Sequence, residues 1–129
     1  IHARPARVAE RAAEVLAAEG ATLDGTKVIV VGVSYKAGVS DVRESPALLL
    51  IDGLVERGAE VAYHDPLVPA ITTPQGRELS NAVLPSGAGW DLAIIHVVHP
   101  GTDYSWVQEC PRVLDATYLF DDAAHRSVV

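Results

Sequence analysis

Between Gly32 and Pro46 the chain reads Gly-Val-Ser-Tyr-Lys-Ala-Gly-Val-Ser-Asp-Val-Arg-Glu-Ser-Pro, which sets two cations, Lys36 and Arg43, and two acids, Asp41 and Glu44, around Gly38. A lysine and an arginine fork beside the amides of a helix start suit a small, multiply charged anion such as a pyrophosphate, because each N–H donor meets an ionised acceptor. Ser45 and Pro46 supply that helix start, one as an N-cap and the other at the first helical position. The same charges also fit a solvated loop of local ion pairs, in which Lys36 and Arg43 are engaged by Asp41 and Glu44 and bind nothing else. The residue types alone leave both readings open.

Other reactive side chains carry less. Cys110, in Glu109-Cys110-Pro111, has no histidine or basic cluster beside it in sequence to favour a thiolate, and it reads as structural. His96 and His99 follow one apolar run at a spacing compatible with a metal or a general base, but no ligand set is evident around them. No metal is expected, and the pair is placed in a loop near the ligand. His64, before Asp65-Pro66, reads as a strand-end residue that fixes a turn, and Trp90 and Trp106 as core or interface anchors.

The elements that must position these residues follow from periodicity. Residues 5–19 place Val8, Ala12, Val15 and Leu16 on one helical face. Residues 27–32 form a β-branched apolar run without alternation, as expected of a parallel strand covered on both faces. A polar loop over 34–44 leads to a helix from Ser45 to about Arg57, closed by Gly58. Further strands are expected at 60–64, 91–96 and 112–115, with a short helix at 104–109. The stretch 68–89 reads as a long connection, and 121–129 as a frayed tail. Strands alternating with helices predict an α/β, Rossmann-like three-layer domain with a mostly parallel sheet and helices on both faces. In such sheets ligands bind at the carboxyl ends of the strands, where the Lys36–Arg43 loop lies. That loop lacks GxGxxG, so NAD is not placed on this domain.

Composition bounds the function. The 129 residues, 49% of them hydrophobic, make one domain, and a net charge of −7 argues against nucleic acid, which needs many phosphate-neutralising cations. No apolar run approaches the ~20 residues that span a bilayer. A single cysteine excludes an internal disulfide and fits a cytoplasmic location. The N-terminus has neither a signal-peptide pattern nor an initiator Met, and the chain is read as a piece of a longer polypeptide.

The Gly32 to Pro46 motif, followed by an apolar helix, Arg57-Gly58-Ala-Glu-Val and Tyr63-His64-Asp65-Pro66, resembles the C-terminal domain of the UDP-glucose/GDP-mannose dehydrogenase family. The similarity runs from the first helix to about Thr117, and the loop looks closest to that of UDP-N-acetyl-hexosamine 6-dehydrogenases. The resemblance implies an oxidoreductase of three parts: an N-terminal NAD-binding domain, a central dimerisation segment, and a C-terminal domain holding the nucleotide of a UDP-sugar. In such enzymes a cysteine and NAD oxidise the sugar C6 to a carboxylate. The family's Gly-Ser-Cys segment is absent here, so the chain is expected to be inactive alone, with no catalytic residue of its own. Carried over, Arg43 is the first candidate for a UDP contact and Lys36 the second, with Tyr35 packed beside the nucleotide. Asp41 and Glu44 would repel a pyrophosphate, so they are assigned to orienting the cations or, with Ser45, to the helix cap. The expected division is a leading helix and turn (1–25), an α/β core (26–120) and a tail (121–129). The expected partners are a UDP-sugar, the rest of the parent polypeptide and a second copy in a homo-oligomer. Two other readings remain: an assembly scaffold of the same enzyme, and a stand-alone mononucleotide-binding regulatory module.

Overall fold

Along the chain the elements are α1 (Pro5–Ala17), β1 (Lys27–Val31), α2 (Pro46–Glu56), β2 (Glu60–His64), β3 (Ala70–Thr72), β4 (Glu78–Ser80), β5 (Leu92–Ile95), a 3-10 helix (Ser105–Glu109), β6 (Val113–Asp115) and β7 (Arg126–Val128). The structure, a computed structural model, describes residues 4–43, 45–82, 89–117 and 126–128. Five strands form one sheet in the order β2-β1-β5-β6-β7, and every neighbouring pair is parallel. Val30 stands opposite Tyr63 on one side and Ile94 on the other, so the apolar runs align at the centre of the sheet.

Alternate residues of these strands feed two cores, as the period of two requires. Val28, Val30, Leu92, Ile94 and Leu114 face α1 and α2, meeting Val8, Ala12, Leu16, Leu50, Ile51 and Leu54. Ile29, Val31, Ala93, Ile95 and Val113 face the other way, against Tyr104, Val107 and Cys110, with Trp90 and Trp106 at the margin. Both α-helices therefore lie on one face, and among the described residues the 3-10 helix covers the second. The helix at 104–109 is tighter than an α-helix, a form that short pieces commonly take. α2 begins as its sequence prescribes, with Ser45 Oγ accepting from the Ala47 amide at 3.3 Å and Pro46 in the first turn. It ends where Gly58, at φ 91°, packs so closely on Asp24 that a Cβ would come within 2.4 Å of the Asp24 carboxylate.

Two stretches differ from expectation. The tail is not wholly frayed, because Arg126–Val128 pairs in parallel with β6. A three-residue edge strand of largely polar sequence has too little periodicity to be read, and polar contacts hold it: Arg126 Nε donates to buried Asp115 Oδ2 at 3.0 Å, and Arg11 Nε to the Val128 carbonyl at 2.9 Å. The 68–89 connection contains the antiparallel ribbon β3–β4. Asp52 of α2, buried although it stands in a helix, fastens the ribbon turn by accepting from Arg77 Nη1 at 2.7 Å and from the Gln75 amide at 3.1 Å. Burial raises its pKa, but hydrogen bonds from Thr73, Arg77 and Gln75 outweigh burial and hold the carboxyl below its ordinary value.

Candidate functional site

The chain passes from β1 to β2 on one side and then returns to β5 on the other, so the order of the sheet reverses at β1. That topology opens a crevice between the carboxyl ends of β1 and β5, the usual ligand position in open α/β sheets. Two loops meet there, one after β1 and one after β5. Gly32 stands at φ 82°, and a Cβ built on it would lie 2.0 Å from the Val97 carbonyl oxygen, so only glycine allows the two loops to touch.

A buried carboxylate ties both loops to β2. Asp65, directly after that strand, is fully buried, and its Oδ2 accepts from the amides of Val33 at 3.0 Å and Ser34 at 3.1 Å. Its Oδ1 accepts from the Leu67 amide at 2.9 Å and from His99 Nε2 at 2.9 Å. Burial pushes the Asp65 carboxyl up, and the hydrogen bonds from His99, Leu67, Val33 and Ser34 together overcome it and hold the group below the usual carboxylate range. The other ring nitrogen of His99, Nδ1, accepts from the Gly38 amide at 2.9 Å. The hydroxyl of Tyr104 accepts from the His99 amide at 2.8 Å, and Ser34 Oγ donates to the Lys36 carbonyl at 3.0 Å.

Outside this hub the loop carries its charges to the surface. The Tyr35 amide donates to the Asp41 carbonyl at 2.6 Å, closing the loop so that Lys36 and Arg43 leave from its two ends. Arg43 is paired along one edge with Asp41, Nε to Oδ1 at 3.1 Å and Nη2 to Oδ2 at 3.0 Å, and its own amide donates to Oδ1 at 2.9 Å. These bonds lower the Asp41 pKa. Even so, the Arg43 side chain is 88% exposed. Tyr35 and Lys36 are exposed as well. Ser45 is the buried cap of α2. Glu44 lies outside the described residues. A cleft of about 430 Å³ opens beside the loop, lined by Val42 and by Ile71, Thr72, Leu79 and Ser80 of the ribbon. A larger cleft of about 500 Å³ lies between α1 and α2, lined by Pro5, Ala9, Leu49, Gly53 and Arg57 and by none of the loop residues Tyr35, Lys36 or Arg43.

Of the remaining candidates, Cys110 is 2% exposed, and burial beside Glu109 pushes its thiol up to about 11, which suits no nucleophile. His64, expected to fix the turn at Asp65-Pro66, instead donates from Nδ1 to the Ala82 carbonyl at 2.7 Å and meets Trp106 edge-on at 5.7 Å, so it holds the segment after β4. His96 is buried at the end of β5. Among the described residues no three His, Cys, Asp or Glu side chains gather as a metal site, and no helix is long and apolar enough to cross a membrane. The Asp65–His99 pair escaped the sequence reading. Its signal was an aspartate directly after a buried strand, one position beyond the reach of any strand pattern.

Comparisons with known proteins follow the same outline. The sequence profile described as "UDP-glucose/GDP-mannose dehydrogenase family, UDP binding domain" matches residues 29–124. A UDP-glucose 6-dehydrogenase of Haloferax volcanii is 47% identical over 45 residues, which are 35% of this chain and 10% of that protein. The solved UDP-D-ManNAc dehydrogenase of Pyrococcus horikoshii superposes with a TM-score of 0.74 at 21% identity, over 96% of this chain and 29% of that one. The solved UDP-glucose dehydrogenase of Pyrobaculum islandicum gives 0.67 at 25% identity, over 95% of this chain and 28% of its own. The chain thus spans less than a third of these solved relatives.

Proposed function

Because the chain belongs to the UDP-glucose/GDP-mannose dehydrogenase family and matches its UDP-binding domain, we propose that it holds the nucleotide of a UDP-sugar for an NAD-dependent 6-dehydrogenase. In this reading the rest of the parent polypeptide binds NAD and carries the nucleophilic cysteine that takes the sugar C6 to a carboxylate. The chain itself has neither GxGxxG nor a Gly-Ser-Cys segment, and its buried Cys110 is no substitute. Related dehydrogenases take UDP-glucose or UDP-ManNAc by name, and the sugar here is sought within that range. A cytoplasmic, homo-oligomeric parent enzyme fits the same reading.

The observation that carries it is the Arg43–Asp41 pair. Asp41 fixes the guanidinium plane along one edge while the side chain stays in solvent, in a loop at the carboxyl end of β1. A pre-oriented fork loses less rotamer freedom when it takes a pyrophosphate. Lys36 adds a second cation from the other end of the loop, Tyr35 packs beside the nucleotide, and Ser45 caps the helix behind them. Glu44 is assigned with Asp41 to orienting the cations.

The test is a chemical-shift titration of the 129-residue chain with UDP. Charge-assisted hydrogen bonds contribute roughly 1.5–3 kcal/mol each, and ordering and association costs offset much of that, so a Kd on the order of 0.1–10 mM is expected. Arg43→Ala should weaken UDP roughly tenfold, and Arg43→Lys should recover part, since a point charge lacks the planar fork. Uridine should barely bind. Equal UDP affinity in wild type and Arg43→Ala would remove Arg43 from the site and favour the scaffold reading.

A further inference from the structure

His99 joins all three segments at the crevice. It follows β5, its Nε2 donates to Asp65 after β2, and its Nδ1 accepts from Gly38 in the loop after β1. The two bonds fix the tautomer. An amide N–H facing Nδ1 requires a lone pair there, so the ring proton sits on Nε2, where the Asp65 carboxylate receives it. Ser34 Oγ, 3.4 Å from Nε2, lies on the same side and donates to the Lys36 carbonyl. The segment from Ser34 to Gly38, which carries Tyr35 and Lys36 outward, is thus held from beneath at both ends.

We propose that His99 is a positioning residue for the nucleotide site: its neutral Nε2–H tautomer, set by Asp65, clamps the Gly38 amide and so holds Tyr35 and Lys36 in the conformation that meets the pyrophosphate. This rests on the reading of the loop as a nucleotide site. Without the clamp the Gly38 N–H turns to water, and the loop must be re-ordered each time a ligand binds. Of the titratable groups around His99, Asp65 meets Nε2 and the Tyr104 hydroxyl meets the backbone amide.

The experiment separates the two bonds. In His99→Gln the side-chain NH2 stands near Nε2 and still reaches Asp65, but nothing accepts from Gly38. In His99→Asn the side-chain oxygen stands near Nδ1 and keeps the Gly38 bond while losing Asp65. UDP-glucose is the ligand. Both variants should melt below wild type. Affinity should fall roughly fivefold or more in His99→Gln and change little in His99→Asn. Equal losses in the two variants, or none in either, would overturn the clamp. If His99→Gln does not fold, the wild type still decides: a His99 ring proton found on Nδ1 by 15N spectroscopy overturns it. Arg43→Ala distinguishes the layers. Binding lost there and unchanged in His99→Gln removes this inference alone, whereas binding absent from wild type or untouched by Arg43→Ala removes the nucleotide site and the clamp together.

Discussion

Asp65→Asn changes almost no volume and removes a charge with half of the acceptor capacity. In the native structure each carboxylate oxygen accepts from two donors, Oδ2 from Val33 and Ser34 and Oδ1 from Leu67 and His99. An amide has one oxygen, so whichever way the substituted side chain turns, its NH2 faces two N–H groups, either the buried amides of Val33 and Ser34 or the half-buried Leu67 amide and the buried His99 ring. A buried donor left without an acceptor costs about 1–3 kcal/mol, which puts the variant about 2–6 kcal/mol below wild type at neutral pH. That is a large share of the ~5–15 kcal/mol that keeps a domain folded. The pH dependence has a definite sign. The folded-state pKa of Asp65 lies below its unfolded value, so its stabilisation is complete above the ordinary aspartate value of about 3.9 and is lost as the pH falls through the lower, folded value. Protonated Asp65 offers one donor and one acceptor, like an asparagine amide, so the two proteins should converge in acid. Urea unfolding followed by Trp90 and Trp106 fluorescence, at about pH 7 and about pH 3, measures both quantities. Equal midpoints at neutral pH would refute the four-bond hub, and a difference that persists unchanged in acid would refute the role of the charge.

Gly32→Ala should destabilise by about 3 kcal/mol or more, because it combines a left-handed backbone with a Cβ inside the Val97 carbonyl; a melting temperature within error of wild type would contradict the contact. Arg77→Ala should cost about 1–3 kcal/mol by leaving buried Asp52 without its cation, with Arg77→Lys between it and wild type. The cost should appear in urea melts together with faster amide exchange across Ala70–Thr72 and Glu78–Ser80, and an unchanged ribbon would show that Asp52 does not hold it. Cys110 should resist alkylation at about pH 8 in the native state and react once urea unfolds the chain; rapid native labelling would contradict its burial and raised pKa.

How far the fold could be read depended on how each element is stabilised. β1, β5 and β6 are buried along almost their whole length, so burial shows directly as apolar runs such as Val28–Val31, and the edge strand β2 shows it in part, through Val61 to Tyr63. α2 announced both ends through Ser45-Pro46 and Gly58, since caps are local chemistry. β7 and the ribbon were illegible because distant side chains hold them, Asp115 and Arg11 for one and Asp52 for the other. The site divided in the same way. Lys36, Asp41 and Arg43 stand within eight residues and could be grouped on sight. Asp65 and His99 are far apart in the chain, and only the parallel pairing of β2, β1 and β5 brings them together.

That hub also bears on why a Rossmann-like sheet would bind a nucleotide through exposed side chains. In a dinucleotide fold the turn after the first strand is rich in glycine, and its amides, with the following helix start, receive the pyrophosphate. Here the corresponding amides, of Val33 and Ser34, already donate to Asp65 Oδ2, and the Gly38 amide already donates to His99. The chain fills its own cradle with a carboxylate from the neighbouring strand. A phosphate brought to that position would have to displace Asp65 from four hydrogen bonds, or lie against its negative charge in a buried site. Either cost exceeds what one phosphate gains from two amides. The proposed reading directs an anion outward, to where Lys36 and Arg43 leave the closed loop and where solvent screens the Asp65 charge. On this argument the missing glycine fingerprint and the cationic loop are two consequences of one substitution of roles. In the proposed reading the inner amides serve to fix the loop, and the side chains of the fixed loop take over the work of recognition.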